Sequence, residues 1–124
     1  MKLEQQVCSL ELAKKLKELG VKQESLWWWK PFLNAKSEEV KWIISNNTSS
    51  FGKPISAFTV AELGEMLVYT QTGCAYRLWV CSSQIMIYSQ EFNHTEQADT
   101  EANARAKMMV WLIENGHIKK EGQR

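Results

Sequence analysis

The chain has few of the residues that mark secreted or metal-binding proteins. Its 124 residues include two prolines and three cysteines, Cys8, Cys74 and Cys81. An odd number of cysteines without a C-x-x-C pair argues against a disulfide framework and against a zinc cluster. Free cysteines usually behave as small buried hydrophobic residues. We therefore expect free thiols, a reducing cytoplasm and no bound metal.

The sequence also lacks a long hydrophobic run. A helix that spans a bilayer needs about 20 consecutive apolar residues, and no segment of this chain approaches that length. Residues 1–6 carry charges and amides where a secretory signal peptide would have an apolar core. The expectation is a cytoplasmic protein with no membrane partner.

Neither sign of charge is in clear excess. Lysine and arginine together number 15, aspartate and glutamate 14, and the formal net charge is +1. Such a balance creates no long-range field that would attract nucleic acid or an anionic membrane. On the basis of net charge, nucleic acid is not an expected partner.

Recognisable catalytic motifs are missing as well. There is no glycine-rich phosphate loop and no G-x-S-x-G segment. By sequence spacing, neither His94 nor His117 has a carboxylate or serine partner, and both are far from the cysteines. We accordingly predict no catalytic residues, no metal ligands and no cofactor, and a protein that binds a partner without being an enzyme.

The chain does contain a regular succession of helix and strand signals. A chain of this length forms one hydrophobic core, so we predict a single domain over residues 1–118 with a polar tail over residues 119–124. The expected fold class is α+β, mainly antiparallel sheet packed by helices, in the order α-β-β-α-β-β-α.

The first three elements rest on caps and on aromatic or β-branched segments. Ser9 and Gly20 frame a predicted helix over residues 10–19. Residues 26–29 and 40–44 are rich in tryptophan, valine and isoleucine, which favours two strands that pair with each other.

A capping box predicts the second helix. Thr59 and Glu62 have the spacing at which each side chain can bond the other residue's backbone N–H, so a helix is expected from Val60 to about residue 67. Gly64 inside this helix costs about 1 kcal/mol relative to alanine. Either close packing requires the missing side chain, or the helix is weak there.

A hairpin follows, with strands over residues 74–81 and 84–92. The two-residue turn Ser82-Ser83 sets the pairing, because residues equidistant from a turn lie opposite each other. The predicted pairs are Val80–Ile85, Trp79–Met86, Leu78–Ile87 and Arg77–Tyr88. The face expected to join the core carries Tyr76, Leu78, Val80, Ile85 and Ile87, and the opposite face carries Arg77, Trp79, Met86 and Tyr88.

The last predicted element is an amphipathic helix. It begins after a cap at Asp99 or Thr100 and ends at Asn115-Gly116. Its apolar stripe, expected to pack on the sheet, consists of Ala102, Ala106, Met109 and Ile113, widened by Met108, Trp111 and Leu112.

Six tryptophans give this small domain more aromatic surface than one face of a sheet can use. Trp27 and Trp29 point to one side of their strand and Trp28 to the other, so both sides carry aromatic residues. Core packing accounts for part of this surplus, and a binding surface is the alternative. The predicted ligand-binding residues are Trp27, Trp29, Trp42, Arg77, Trp79, Tyr88 and Arg105. An open apolar face would also suit a homo-oligomer.

Residues 7–26 and 57–67 resemble a family of small proteins encoded by bacteriophages and prophages, and residues 95–116 are similar to that family's closing helix. The resemblance implies an accessory protein in a bacterial host cell that counteracts antiviral defence. Two actions fit this context, the sequestration of a nucleotide-like immune signal and the masking of a host defence protein. Rings with a nearby guanidinium could hold a nucleotide without turnover.

Two other functions remain open. Residues 12–21 resemble the opening helix and turn of a helix-turn-helix protein, which would make the chain a DNA-binding regulator, although the next segment is poor in basic and amide side chains. A purely structural, homo-oligomeric phage protein is the other alternative.

Overall fold

The computed structural model describes residues 2–33, 40–46, 53–68 and 76–117. In these residues the helices are α1 (Leu3–Gln6), α2 (Leu10–Glu18), α3 (Val60–Val68) and α4 (Glu101–Glu114), and the strands are β1 (Trp27–Leu33), β2 (Val40–Ser45), β3 (Ile55–Ala57), β4 (Tyr76–Cys81), β5 (Gln84–Ser89) and β6 (His94–Ala98). The strands form two antiparallel sheets, the first in the order β2-β1-β3 and the second in the order β4-β5-β6. The predicted α+β class is confirmed. The predicted tail, residues 119–124, lies outside the described residues.

The predicted order of elements lacks α1, β3 and β6. The β6 segment is mostly polar and has little intrinsic preference for a strand, so its strand conformation depends on pairing with β5. The strand predicted to continue to residue 92 ends instead at Ser89. Asn93 has a φ of 50°, a left-handed conformation that turns the chain back into β6.

In the first sheet, the predicted pairing of the two aromatic strands is confirmed, and β1 runs further than expected. It continues through Pro31, which lies opposite Trp42 of β2. The partner on the other side, β3, pairs with residues 27–29. Within the described residues, β1 therefore has one neighbour at Pro31, and the missing N–H is tolerated there.

Helix ends follow the predicted caps. Ser9 Oγ accepts a hydrogen bond from Leu12 N, and Thr100 Oγ1 accepts one from Asn103 N. Gly20 and Gly116 have φ values of 93° and 73° past the ends of α2 and α4, a conformation that suits glycine. These local signals are sufficient to set the bounds of both helices.

Helix α4 is the centre of the core, because it contacts α1, α2, α3, β5 and β6. Most of its predicted apolar stripe is buried, Trp111 is half-buried, and Ala104 outside the stripe is also fully buried. The expected packing against a sheet is present, and contacts with three helices enclose α4 on more than one side. Such a position requires small or apolar residues around most of the circumference. None of the helices in the described ranges is long and apolar enough to cross a membrane.

Candidate functional site

The hairpin of β4 and β5 has the predicted register. Arg77 lies opposite Tyr88 and Trp79 opposite Met86, and the other predicted pairs are also present. Ser82 and Ser83 both have positive φ, at 49° and 66°, as a two-residue hairpin turn of type I′ requires. Residues 74 and 75, where the first strand was predicted to begin, lie outside the described residues.

The second sheet has the two predicted faces, one that packs against the core and one that faces away from it. Ile87 is fully buried on the side that packs against α4, so Arg77, Trp79 and Tyr88 face away from the helix. One residue departs from the prediction. Val80, expected in the core, is 69% exposed because it lies at the hairpin end, where the core no longer covers β4.

Strand β6 widens this open face. Thr95 lies opposite Tyr88, and Gln97 lies opposite Met86. We call the resulting surface the platform, and its residues are Arg77, Trp79, Met86, Tyr88, Thr95 and Gln97.

The platform combines aromatic surface with a single cation. Trp79 is 44% exposed, Arg77 is exposed and Tyr88 is half-buried. The Tyr88 hydroxyl donates to Asn93 Oδ1 at 3.0 Å, which restricts the ring. Arg77 is two residues from Trp79 on the same side of β4 and directly opposite Tyr88, so the three side chains are neighbours on this face. No carboxylate is among the platform residues.

The platform does not include the three predicted tryptophans of the first sheet, Trp27, Trp29 and Trp42. They lie on the side of that sheet that packs against α2. Trp29 Nε1 donates to the Cys8 carbonyl at 3.0 Å. The Lys14 ammonium lies 5.1 Å from the Trp42 ring centroid, a cation–π contact between α2 and β2. Trp29 and Trp42 join the first sheet to the core, and none of the three rings is part of the platform.

Arg105 lies at a third place, between α3 and α4. A Cβ atom at Gly64 would overlap Arg105 Nη1, so the gap in α3 exists to accommodate the guanidinium. Arg105 Nη2 is 3.7 Å from Glu101 Oε2, and Arg105 Nε is buried with no hydrogen-bond partner in the described part of the chain. Of the seven predicted site residues, the platform therefore unites three.

Comparison with protein-family models, curated proteins and solved structures finds no match. The platform must therefore be interpreted from its own chemistry.

The structure brings together a second group of side chains whose proximity the sequence did not predict. His94 Nε2 and Glu96 Oε2 are 2.5 Å apart on the α4 side of β6, which corrects the expectation that neither histidine has a carboxylate partner. The His94 ring stacks on Trp111 with centroids 3.7 Å apart, and His117 stacks on Phe92 at 3.8 Å. The available signal was the two-residue spacing of His94 and Glu96, which puts both on one face of a strand. This spacing has that meaning only in a strand, and the polar sequence of β6 does not predict one.

The His94–Glu96 pair has the form of an oriented general base, but its surroundings favour a structural role. Ser89 lies opposite His94, yet it is 1% exposed and its Oγ accepts a hydrogen bond from Phe92 N. A buried hydroxyl in that role is not available as a nucleophile. Among the described residues, no group of three or more His, Cys, Asp or Glu is placed to hold a metal ion.

Proposed function

We propose that the chain is a non-enzymatic binding protein whose platform captures a nucleotide-like ligand. The observation that carries this proposal is that Arg77 lies opposite Tyr88 and two residues from Trp79 on a face where Arg77 and Trp79 are exposed. In the context that the phage resemblance implies, the ligand would be a nucleotide immune signal of a bacterial host. Capture in the cytoplasm would counteract antiviral defence.

The chemistry of the three side chains suits such a ligand. An exposed indole offers a flat apolar surface on which a base can stack. A guanidinium bonds a phosphate through two parallel N–H groups and stays charged at any physiological pH. Because the platform residues include no carboxylate, a phosphate there meets no repulsion from the platform itself. Binding alone lowers the free concentration of the signal, so no bond needs to be broken.

Thermal unfolding with a panel of cyclic nucleotides and ADP-ribose derivatives tests the proposal. A ligand selective for the folded chain stabilises it by about 2.7 kcal/mol at a hundred times its Kd, which raises the Tm. We expect Trp79→Ala and Arg77→Gln each to weaken binding about tenfold or more. Lys17→Gln removes one exposed positive charge from α2 and is the matched control. If no nucleotide raises the Tm of the unmodified chain, sequestration on the platform is wrong.

Masking of a host defence protein is the second candidate, and the edge strand β4 favours it. Among the described strands, β4 has a neighbour only on its β5 side, and Val80 on it is 69% exposed. An unpaired strand edge can accept a strand from another protein. A host protein that co-purifies with the native chain but not with Val80→Lys, in the absence of any nucleotide effect, would favour masking over sequestration.

The remaining alternatives have different signatures. For the helix-turn-helix alternative, the segment after α2 forms β1, so no recognition helix follows within residues 21–33. The expected homo-oligomer, and with it a purely structural role, is tested by light scattering on the 14.3 kDa chain.

A further inference from the structure

The first sheet has a second face that differs from the platform. Trp28, Lys30 and Phe32 alternate with the core-facing residues of β1, so they point away from α2. The register sets Ile43 of β2 opposite Lys30, and Lys41 opposite Phe32. We call this surface the basic face, and its residues are Trp28, Lys30, Phe32, Lys41 and Ile43.

Large apolar side chains on the basic face are open to solvent. Phe32 is 53% exposed and Ile43 is 46% exposed, and Trp28 is half-buried. A contiguous patch of exposed apolar side chains on one face of a sheet often marks an interaction surface. Trp28 and Phe32 are four residues apart on one strand, a distance of about 13 Å.

The charge on this face has one sign. Lys30 and Lys41 are its basic side chains, and none of its five residues is acidic. Lys41 is exposed, whereas Lys30 is buried, at 8% exposure. Lys41 is therefore the exposed cation of this face.

We propose that the basic face binds single-stranded nucleic acid. Bases would stack on Phe32 and Trp28, and a backbone phosphate would pair with the exposed Lys41. The two rings are about 13 Å apart with a lysine between them, and stacked neighbouring bases are roughly 3.4 Å apart. The rings would therefore contact different bases of an extended nucleic-acid strand. Aromatic stacking and cationic contacts to the backbone together are the usual means of binding single strands without regard to sequence. A protein partner would have no comparable need for ammonium groups that alternate with rings.

Fluorescence anisotropy with a labelled 15-nucleotide oligo-dT and oligo-U measures this binding on the full chain. We expect affinity that falls with salt, with a slope of log K against log salt of about −0.7 for one phosphate contact. Phe32→Ala should weaken binding about fivefold or more. Lys41→Gln should weaken it and make the slope shallower by about 0.7.

A matched control tests whether the effect belongs to this face. Lys17→Gln removes one exposed cation from α2 and should not change oligonucleotide binding. Phe32 is more than half exposed, so its alanine variant should keep the native far-UV circular dichroism spectrum. Absence of binding at 50 mM salt, or an equal loss in the Lys17→Gln control, overturns the proposal. So does a dimer that Phe32→Ala converts to a monomer, because the face would then bind a second copy.

Discussion

At the scale of single residues, Gly64 and Arg105 form a matched pair. Glycine inside a helix normally costs stability, but here it leaves the space in which the Arg105 guanidinium lies. Of the two explanations that the sequence allowed for Gly64, close packing is the correct one. Arg105, predicted as a ligand-binding residue, has in the structure a packing role between α3 and α4.

The pair can be tested by a double-mutant cycle. In the Arg105→Ala background, Gly64→Ala should raise the free energy of unfolding by about 1 kcal/mol, the ordinary helix preference of alanine. With Arg105 present, the new methyl group displaces the guanidinium. Gly64→Ala should then leave the free energy of unfolding unchanged or lower it. Urea unfolding of the four proteins should give a coupling energy of about 1 kcal/mol. Additive effects would contradict the packing described here.

The burial of Cys8 determines the reactivity of its thiol. The residue is fully buried, and burial raises the pKa of its thiol from 9.0 to about 11. The thiolate is the reactive form, so Cys8 should resist alkylation at pH 8 whereas the exposed Cys81 is modified rapidly. Mass spectrometry of the peptides distinguishes the sites, and urea should abolish the protection of Cys8.

The same pKa gives a pH dependence of stability. The folded state holds the Cys8 proton more tightly than the unfolded state, so its contribution is complete below about pH 9 and is lost as pH rises towards 11. The free energy of unfolding should therefore fall more steeply over this interval in the native chain than in Cys8→Ala. Parallel pH curves for the two proteins would be the contrary result.

At the scale of elements, the β4–β5 turn holds two serines in a left-handed conformation that suits asparagine and glycine better. The double change Ser82→Asn with Ser83→Gly should raise the free energy of unfolding by about 1 kcal/mol while the register of the platform stays the same. Ser82→Val is the converse variant, since a β-branched residue is poorly tolerated at positive φ, and it should lower stability. Urea denaturation measures both.

Glu62 links helix α3 to the segment before β1. Its carboxylate accepts hydrogen bonds from Thr59 N at 2.9 Å and Thr59 Oγ1 at 3.1 Å, and its other oxygen accepts from Leu26 N at 3.1 Å. Glu62→Ala should lower the free energy of unfolding by about 2 kcal/mol. Glu65→Ala, an exposed change on the same helix, should stay within about 0.5 kcal/mol, and equal effects of the two variants would refute the linking role.

At the scale of the whole molecule, α4 joins the two sheets. It contacts β5 and β6 directly, and it reaches the first sheet through α2, which packs on β3. Asn103 Oδ1 accepts the Ser9 N–H at the start of α2 at 2.7 Å, and Lys107 Nζ donates to the Gln97 carbonyl in β6 at 2.9 Å. The sheets should therefore unfold together.

Met108→Ala tests this cooperativity. The side chain is fully buried in α4, so its loss should cost about 2–5 kcal/mol. Tryptophan fluorescence and far-UV circular dichroism should still report one coincident transition. Val110→Ala, at a half-buried position on the same helix, should cost less. Two separate transitions would show that the sheets are independent.

The sequence by itself determined the α+β class, the helix caps, the Thr59–Glu62 capping box and the register of the β4–β5 hairpin. All of these depend on interactions within a few residues, and a two-residue turn leaves only one pairing. The strands β3 and β6 were not predictable in this way, because short or polar segments become strands only when a neighbour supplies the hydrogen bonds.

Only the tertiary structure decided which aromatic and charged residues share a surface. It separated Trp29 and Trp42, which pack under α2, from Trp79, which is open to solvent, and it enclosed Arg105 against Gly64. It also paired His94 with Glu96 and collected Lys30 and Lys41 on one face. The physical reason is that the alternation of side chains along a strand defines two faces but does not say which one is covered. Long-range contacts determine which element packs against the strand, and that element decides which face stays open.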